Sequence, residues 1–156
     1  MFAVREIQEG QLEEMAELEQ VVFRDPWSLR SLEETFAQDQ TLILGAWEEE
    51  RLVGYLILYH VLEEGEIARI ASAPGVRRKG VGSHLFSGLE ERCKKKGIQR
   101  LLLEVREGNE PARCFYRRQG FQEDGKRRGF YREPAEDAVL MSKDLPVRSA
   151  PDHNGK

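Results

Sequence analysis

Cysteine is scarce in this 156-residue chain: Cys93 and Cys114 are the only two, and they form no CxxC pair. The three histidines, His60, His84 and His153, are scattered. Neither a disulfide scaffold nor a zinc site of regular ligand spacing is supported, and no metal is expected. Each cysteine reads as a reduced, largely buried side chain, since no partner histidine is suggested. Long hydrophobic runs are also missing. The longest, Leu52 to Tyr59, has eight residues against the roughly 20 that span a bilayer, so no membrane association is expected. Met1–Glu9 carries Arg5, Glu6 and Glu9 where a leader would be apolar; it reads as neither signal nor transit peptide, and the expected location is cytoplasmic.

What the chain does contain is a globular composition, 40% hydrophobic and 33% charged, at a length that suits one domain with its own core. Residues 1–145 are expected to form that single domain, and 146–156, polar and proline-containing, a flexible C-terminal tail. The net charge of −4 hides an asymmetry: residues 1–68 carry −12, residues 69–132 carry +10 and residues 133–156 carry −2. A central positive field suits a polyanionic ligand, and an acidic first half suits a cationic partner. The runs Glu48–Glu50 and Lys94–Lys96 read as solvated faces.

Local patterns give the element order. Phe2–Ile7 alternates like a short strand, and Leu12, Met15, Ala16, Leu18 and Val22 recur at helical spacing. Asp25-Pro26-Trp27-Ser28 breaks the pattern, with Ser28 as N-cap of a second helix carrying Leu29, Leu32 and Phe36, helped by the Ser31 to Glu34 spacing. Thr41–Trp47 and Leu52–Leu62 read as a hairpin, and Glu66–Ala71 as a further strand. Val81–Lys96 carries one apolar stripe and ends at Gly97. Arg100–Arg106 is nearly continuously apolar, as in a strand buried on both faces. Asn109 caps a helix with Pro111 in its first turn, running to Gln119 and stopped by Gly120. Phe121–Tyr131 and Ala138–Lys143 are the last strands. The order is β-α-α-β-β-β-α-β-α-β-β, and the strands either side of the third helix should be parallel neighbours with a right-handed crossover.

Between that strand and that helix, Arg77-Arg78-Lys79-Gly80-Val81-Gly82 combines three cations, two glycines and a helix N-terminus, the ingredients of a phosphate site. It is not a Walker A loop, because Val81 and Gly82 stand where Lys and Ser or Thr are required. It is not a dinucleotide fingerprint, because Leu85 stands where glycine or alanine is required. Arg-x-x-Gly-x-Gly opening a helix after a short strand resembles the acetyl-CoA pyrophosphate loop of the GNAT N-acetyltransferases. Leu103-Glu104-Val105-Arg106, Asn109, Phe115-Tyr116 and Gly120-Phe121 resemble the second half of the same core. Pro26-Trp27-Ser28, Arg127-Arg128-Gly129-Phe130-Tyr131 and Glu136-Asp137-Ala138 resemble the bacterial ribosomal-protein-alanine N-acetyltransferases, the RimI type. The resemblance covers about Met1 to Leu145. It implies an α/β GNAT-like fold, a seven-stranded, mostly antiparallel sheet with a central parallel pair and about four helices.

Acetyl transfer to an amine needs a base for the nucleophile and an acid for the departing thiolate. Glu104, inside Leu-Leu-Leu-Glu-Val, sits where an apolar setting would favour its neutral form; it reads equally as a strand-end carboxylate paired with an arginine. The resemblance implies the base. Tyr116 lies two helical turns after Asn109, so both should point to one side. By itself it reads as a half-buried aromatic with a surface hydroxyl; the resemblance implies the acid. Asn109 reads as an N-cap that also meets the pantetheine arm. The resemblance further implies that acetyl-CoA is the co-substrate, bound by Arg77, Arg78, Lys79, Gly80, Val81, Gly82 and Ser83 at its pyrophosphate and by the backbone of Ile70, Ala71 and Ser72 along pantetheine. Trp27 and Tyr131 would flank the acceptor; alone they read as a core tryptophan and a strand tyrosine.

An α-amino group titrates about 2.5 pH units below a lysine and is the easier nucleophile. The resemblance implies the N-terminal alanine of a small-subunit ribosomal protein as acceptor. Arg69, Ser72 and Ala73 depart from the pattern, and Arg69 would narrow or recharge the acceptor pocket. Other readings are acetylation of lysine side chains or a small amine, and a non-catalytic acyl-CoA sensor. Direct nucleic-acid binding through Arg77–Lys79, Lys94–Lys96 and Lys126–Arg128 ranks lowest, for want of interleaved aromatics or a known RNA motif.

Overall fold

The computed structural model describes residues 2–77 and 79–146. Arg78 and residues 147–156, almost all of the expected tail, lie outside the described residues. Among those described, seven strands and four α-helices follow in the expected order. They are β1 (Ala3–Glu6), α1 (Leu12–Val22), α2 (Leu29–Phe36), β2 (Thr41–Glu48), β3 (Arg51–Val61), β4 (Glu64–Ser72), α3 (Val81–Lys96), β5 (Arg100–Arg106), α4 (Glu110–Arg118), β6 (Gln122–Tyr131) and β7 (Glu136–Asp144). None of the helices is long and apolar enough to cross a membrane. The chain divides into two compact units, one reaching to Val61 and including Glu66–Leu89, the other holding Leu62–Gly65 and everything described from Glu90 onward.

In the first unit β1 pairs antiparallel with β2, and β2 with β3. Leu42 to Trp47 are all buried, so β2 is covered on both faces. Leu12, Met15 and Leu18 of α1 and Leu32 of α2 pack on Ile43, Trp47, Tyr55 and Ile57. Ser28 caps α2 as expected, its Oγ accepting from the Ser31 amide at 3.1 Å. The Ser31–Glu34 spacing plays no part in that cap, because Ser31 is already the third helical residue and Glu34 pairs with Arg30 instead.

Gly54 of β3 fixes where α3 begins. A Cβ there would lie 2.6 Å from Val81 Cγ1 and 2.8 Å from the Ala71 carbonyl oxygen, and backbone has little room to yield. Gly54→Ala is therefore expected to lower unfolding free energy by about 1–3 kcal/mol, the usual cost of overpacking, read as a shift in denaturant midpoint at unchanged slope.

In the second unit β7 lies between β5 and β6, antiparallel to both. Here one expectation fails: β5 is not buried on both faces. Leu101, Leu103 and Val105 are buried, while Leu102, Glu104 and Arg106 are half-buried. The two-residue period of the strand sends them to opposite sides, and Leu102 on the more open face disguised the alternation. β6 is almost wholly exposed and shifts register between Glu123 and Gly125 and again between Arg127 and Tyr131. Cys93 is buried, and burial pushes its thiol up to about 12. Cys114 is only half-buried, with the Arg117 guanidinium 3.2 Å from its Sγ.

Candidate active site

The first unit supplies a candidate anion cradle. β4 carries Ile70, Ala71 and Ser72 to its end, where the Ala73 amide donates to the Val53 carbonyl at 2.8 Å. A 3-10 turn, Pro74–Val76, anchors through buried Val76 and hands the chain to Arg77. Gly80 then takes φ +89°, which L side chains rarely adopt, and lets α3 start at Val81. The Gly80 carbonyl is bound by both the backbone amide and the ring Nδ1 of His84, at 3.0 and 2.8 Å. Arg77, Lys79 and Ser83 are exposed, Gly82 is half-buried and Val81 buried. Exposed cations beside the first turn of a 16-residue helix fit a pyrophosphate, since the helix end and the side chains carry the same sign.

Beside α1 and α2 the same unit holds Trp27 and Arg69. Trp27 is half-buried and packs against the hydrophobic core of this unit. Arg69 is no free cation: its Nε and Nη2 donate to the two carboxylate oxygens of Glu19, each at 2.8 Å. Its guanidinium carbon lies 3.7 Å from the Phe23 ring centroid and 4.8 Å from that of Trp27. The expected recharging of a pocket therefore gives way to an internal neutral pair. Glu19 itself escaped the sequence reading because a glutamate on a helix reads as solvated. Its position four residues after Met15, on the apolar stripe of α1, was the available signal.

The second unit gathers Glu104, Tyr116 and Tyr131. Glu104 faces the more open side of β5, opposite Leu140 of β7. Its Oε2 is buried without a hydrogen bond, and the Arg127 Nε stands 3.7 Å away, close enough for attraction but beyond hydrogen bonding. Of the two sequence readings of Glu104, the arginine neighbour is present, as Arg127. Tyr116 is buried as a residue, 8% exposed, rather than half-buried as expected. Burial, with Tyr131 nearby adding to it, pushes its phenol up to about 12. Phe115 and Phe121 meet its ring edge-on.

Tyr131 links these groups. Burial raises its phenol above the usual range, the Glu104 charge pushes the same way, and Arg106 opposes. The Arg106 guanidinium lies 4.4 Å from the Tyr131 ring centroid and pairs with Glu136 at 3.2 Å. Glu136 Oε2 in turn accepts from the Gly108 amide at 2.6 Å. This brace of Arg106, Glu136 and Gly108 was not legible as a unit, because its members are joined only by the β5–β7 register. Asn109 is exposed, and its Oδ1 caps α4 by accepting from the Ala112 amide at 3.2 Å. It is not buried alongside Tyr116. Among the described residues no group of three or more His, Cys, Asp or Glu gathers as for a metal ion.

Residues 12–121 match the acetyltransferase (GNAT) family. A Haemophilus influenzae protein named ribosomal protein bS18-alanine N-acetyltransferase is 34% identical over 145 residues, 91% of this chain and 98% of that one. The crystal structure of the ribosomal-protein-S18-alanine N-acetyltransferase from Escherichia coli superposes with a TM-score of 0.87 at 26% identity, over 97% of this chain and 98% of that one. A PaiA N-acetyltransferase from Thermoplasma acidophilum, solved in complex with coenzyme A, shares the fold at a TM-score of 0.78 and 21% identity, over 93% and 99% of the two chains. The expected α/β GNAT-like fold class, with seven strands and four helices, is the observed one.

Proposed function

The chain belongs to the acetyltransferase (GNAT) family, enzymes that take their acyl group from acetyl-CoA, and from that membership we propose that it acetylates the N-terminal alanine of a small-subunit ribosomal protein in the cytoplasm. Residues 1–145 act as one catalytic domain in this reading. The observation that carries the chemistry is the pairing, within one unit, of a carboxylate with an unbonded buried oxygen and a phenol held neutral by burial. The acceptor is supported by the named activity of relatives matched over nearly their whole length and by the charge of −12 on residues 1–68, suited to a basic partner.

Acetyl-CoA, when bound, supplies an activated thioester carbonyl. Arg77, Lys79 and the first turn of α3 hold its pyrophosphate, with Arg78 assigned there by motif alone. The backbone of Ile70, Ala71 and Ser72 would pair with the pantetheine amides, with Asn109 assigned to that arm by motif alone. Glu104 takes the proton from the acceptor amine as the new N–C bond forms. Tyr116 gives its proton to the sulfur as the C–S bond breaks, and is reprotonated from solvent. Trp27 and Tyr131 are assigned to the acceptor by motif alone.

Two matched peptides test this: one with a free N-terminal alanine, one N-terminally blocked with an internal lysine, each incubated with enzyme and acetyl-CoA and the modified atom located by mass spectrometry. Label on the alanine amine is expected. Label on lysine alone would replace the acceptor class, and coenzyme A binding without label on either peptide would make the chain a sensor.

A further inference from the structure

The segment Phe23–Trp27 joins α1 to α2 without belonging to either helix. What holds it is a carboxylate. Glu19 is fully buried, and its two oxygens collect four donors: the Trp27 amide at 2.7 Å and Arg69 Nη2 at 2.8 Å on Oε1, then Arg69 Nε at 2.8 Å and the Tyr55 hydroxyl on Oε2. Arg69 Nη2 also donates to the Asp25 carbonyl at 3.1 Å. The segment is thus fastened at Phe23 by stacking, at Asp25 by its carbonyl, and at Trp27 by both amide and ring.

We propose that Arg69 is the positioning residue of the acceptor entrance, a residue that fixes Trp27 in one orientation for the incoming peptide without touching that peptide itself. This rests on the reading of the chain as a peptide acetyltransferase with Trp27 at the acceptor. Three properties of the cluster point to it. The fork of a guanidinium matches both oxygens of a carboxylate, which an ammonium cannot do. Its flat face stacks on two rings at once, so one side chain sets the orientation of Phe23 and Trp27 together. Its charge is cancelled by Glu19, so it braces an entrance meant for a cationic N-terminus without repelling it.

The test replaces Arg69 by lysine, which keeps the charge and loses fork and stack, and compares KM for the alanine peptide with KM for acetyl-CoA. If the segment then holds its competent form about one-tenth of the time, acceptor KM rises about tenfold, while acetyl-CoA KM stays at the wild-type value. A second readout uses fluorescence in a Trp47→Phe background, where Trp27 is the sole tryptophan: Arg69→Lys is expected to shift its emission to longer wavelength and to raise acrylamide quenching. Equal rises in both KM values, or a folded variant with wild-type acceptor KM, overturns the proposal. So does a Trp27 that becomes accessible while acceptor KM stays fixed. Should Arg69→Lys fail to fold, the double variant Glu19→Gln with Arg69→Gln, neutral on both sides, is read the same way. A wild-type enzyme that acetylates no alanine peptide defeats the proposed function, and the same comparison of KM values with the amine it does acetylate then decides the role of Arg69.

Discussion

Glu104→Gln is expected to lower kcat by about 10²- to 10⁴-fold, the range a positioned general base contributes. Glutamine has the shape of glutamate, and the Oε2 that it replaces makes no hydrogen bond, so the fold should survive and acetyl-CoA KM should change little. Circular dichroism and a denaturation curve on the same sample separate lost chemistry from lost structure. A variant with kcat near wild type would remove Glu104 from the proton path. The acid partner has its own signature. With its phenol raised to about 12, Tyr116 stays protonated through the neutral and mildly alkaline range, so its ionisation does not limit kcat there. The sign of the linked stability follows: the unfolded chain loses this proton near 10 and the folded chain near 12. The stability that neutral Tyr116 carries is therefore complete below pH 10 and is lost as pH rises toward 12.

Glu19→Ala is expected to be the most destabilising single change at the surface of α1 that packs inward, costing about 3–5 kcal/mol, as when one partner of a buried ion pair is removed. It strands the Arg69 guanidinium, only 16% exposed, and the Tyr55 hydroxyl together. Burial already raises Tyr55 far above the usual phenol range, with Glu19 adding to it, so this hydroxyl remains a proton donor at any ordinary pH. Chemical denaturation measures the loss. Adding Arg69→Met should return part of it, because the charge left unpaired is then gone, and the double-mutant cycle reports the coupling. A loss under 1 kcal/mol for Glu19→Ala would mean that the network contributes little.

The element order was legible because each signal is local. Ser28 and Asn109 cap through their own side chains three residues ahead, and Gly80, Gly97 and Gly120 all take positive φ where a helix starts or stops. Glu104, Tyr116 and Tyr131 were named from motifs, and the structure brings them near one another within one unit. What escaped was set by pairing across distance. Arg69 stood out, yet its partner lies 50 residues away on a helix where Glu13 and Glu17 face water and Glu14 accepts from the Leu52 amide. The alternation of β5 was hidden by Leu102, since an apolar residue on a half-open face mimics a core position.

The outermost strand of the second unit has a consequence for life at high concentration. Among the described residues β6 pairs with β7 on one side only, and an unpaired strand flank is a template for joining other chains. Here Lys126, Arg127 and Arg128 follow one another along it, and two register shifts, one before Gly125 and one after Arg127, bend its hydrogen-bonding row. Another copy approaching edge to edge meets like charge and a mismatched ladder. The same strand that carries Tyr131 toward Glu104 is in this way built to resist self-assembly into fibrils.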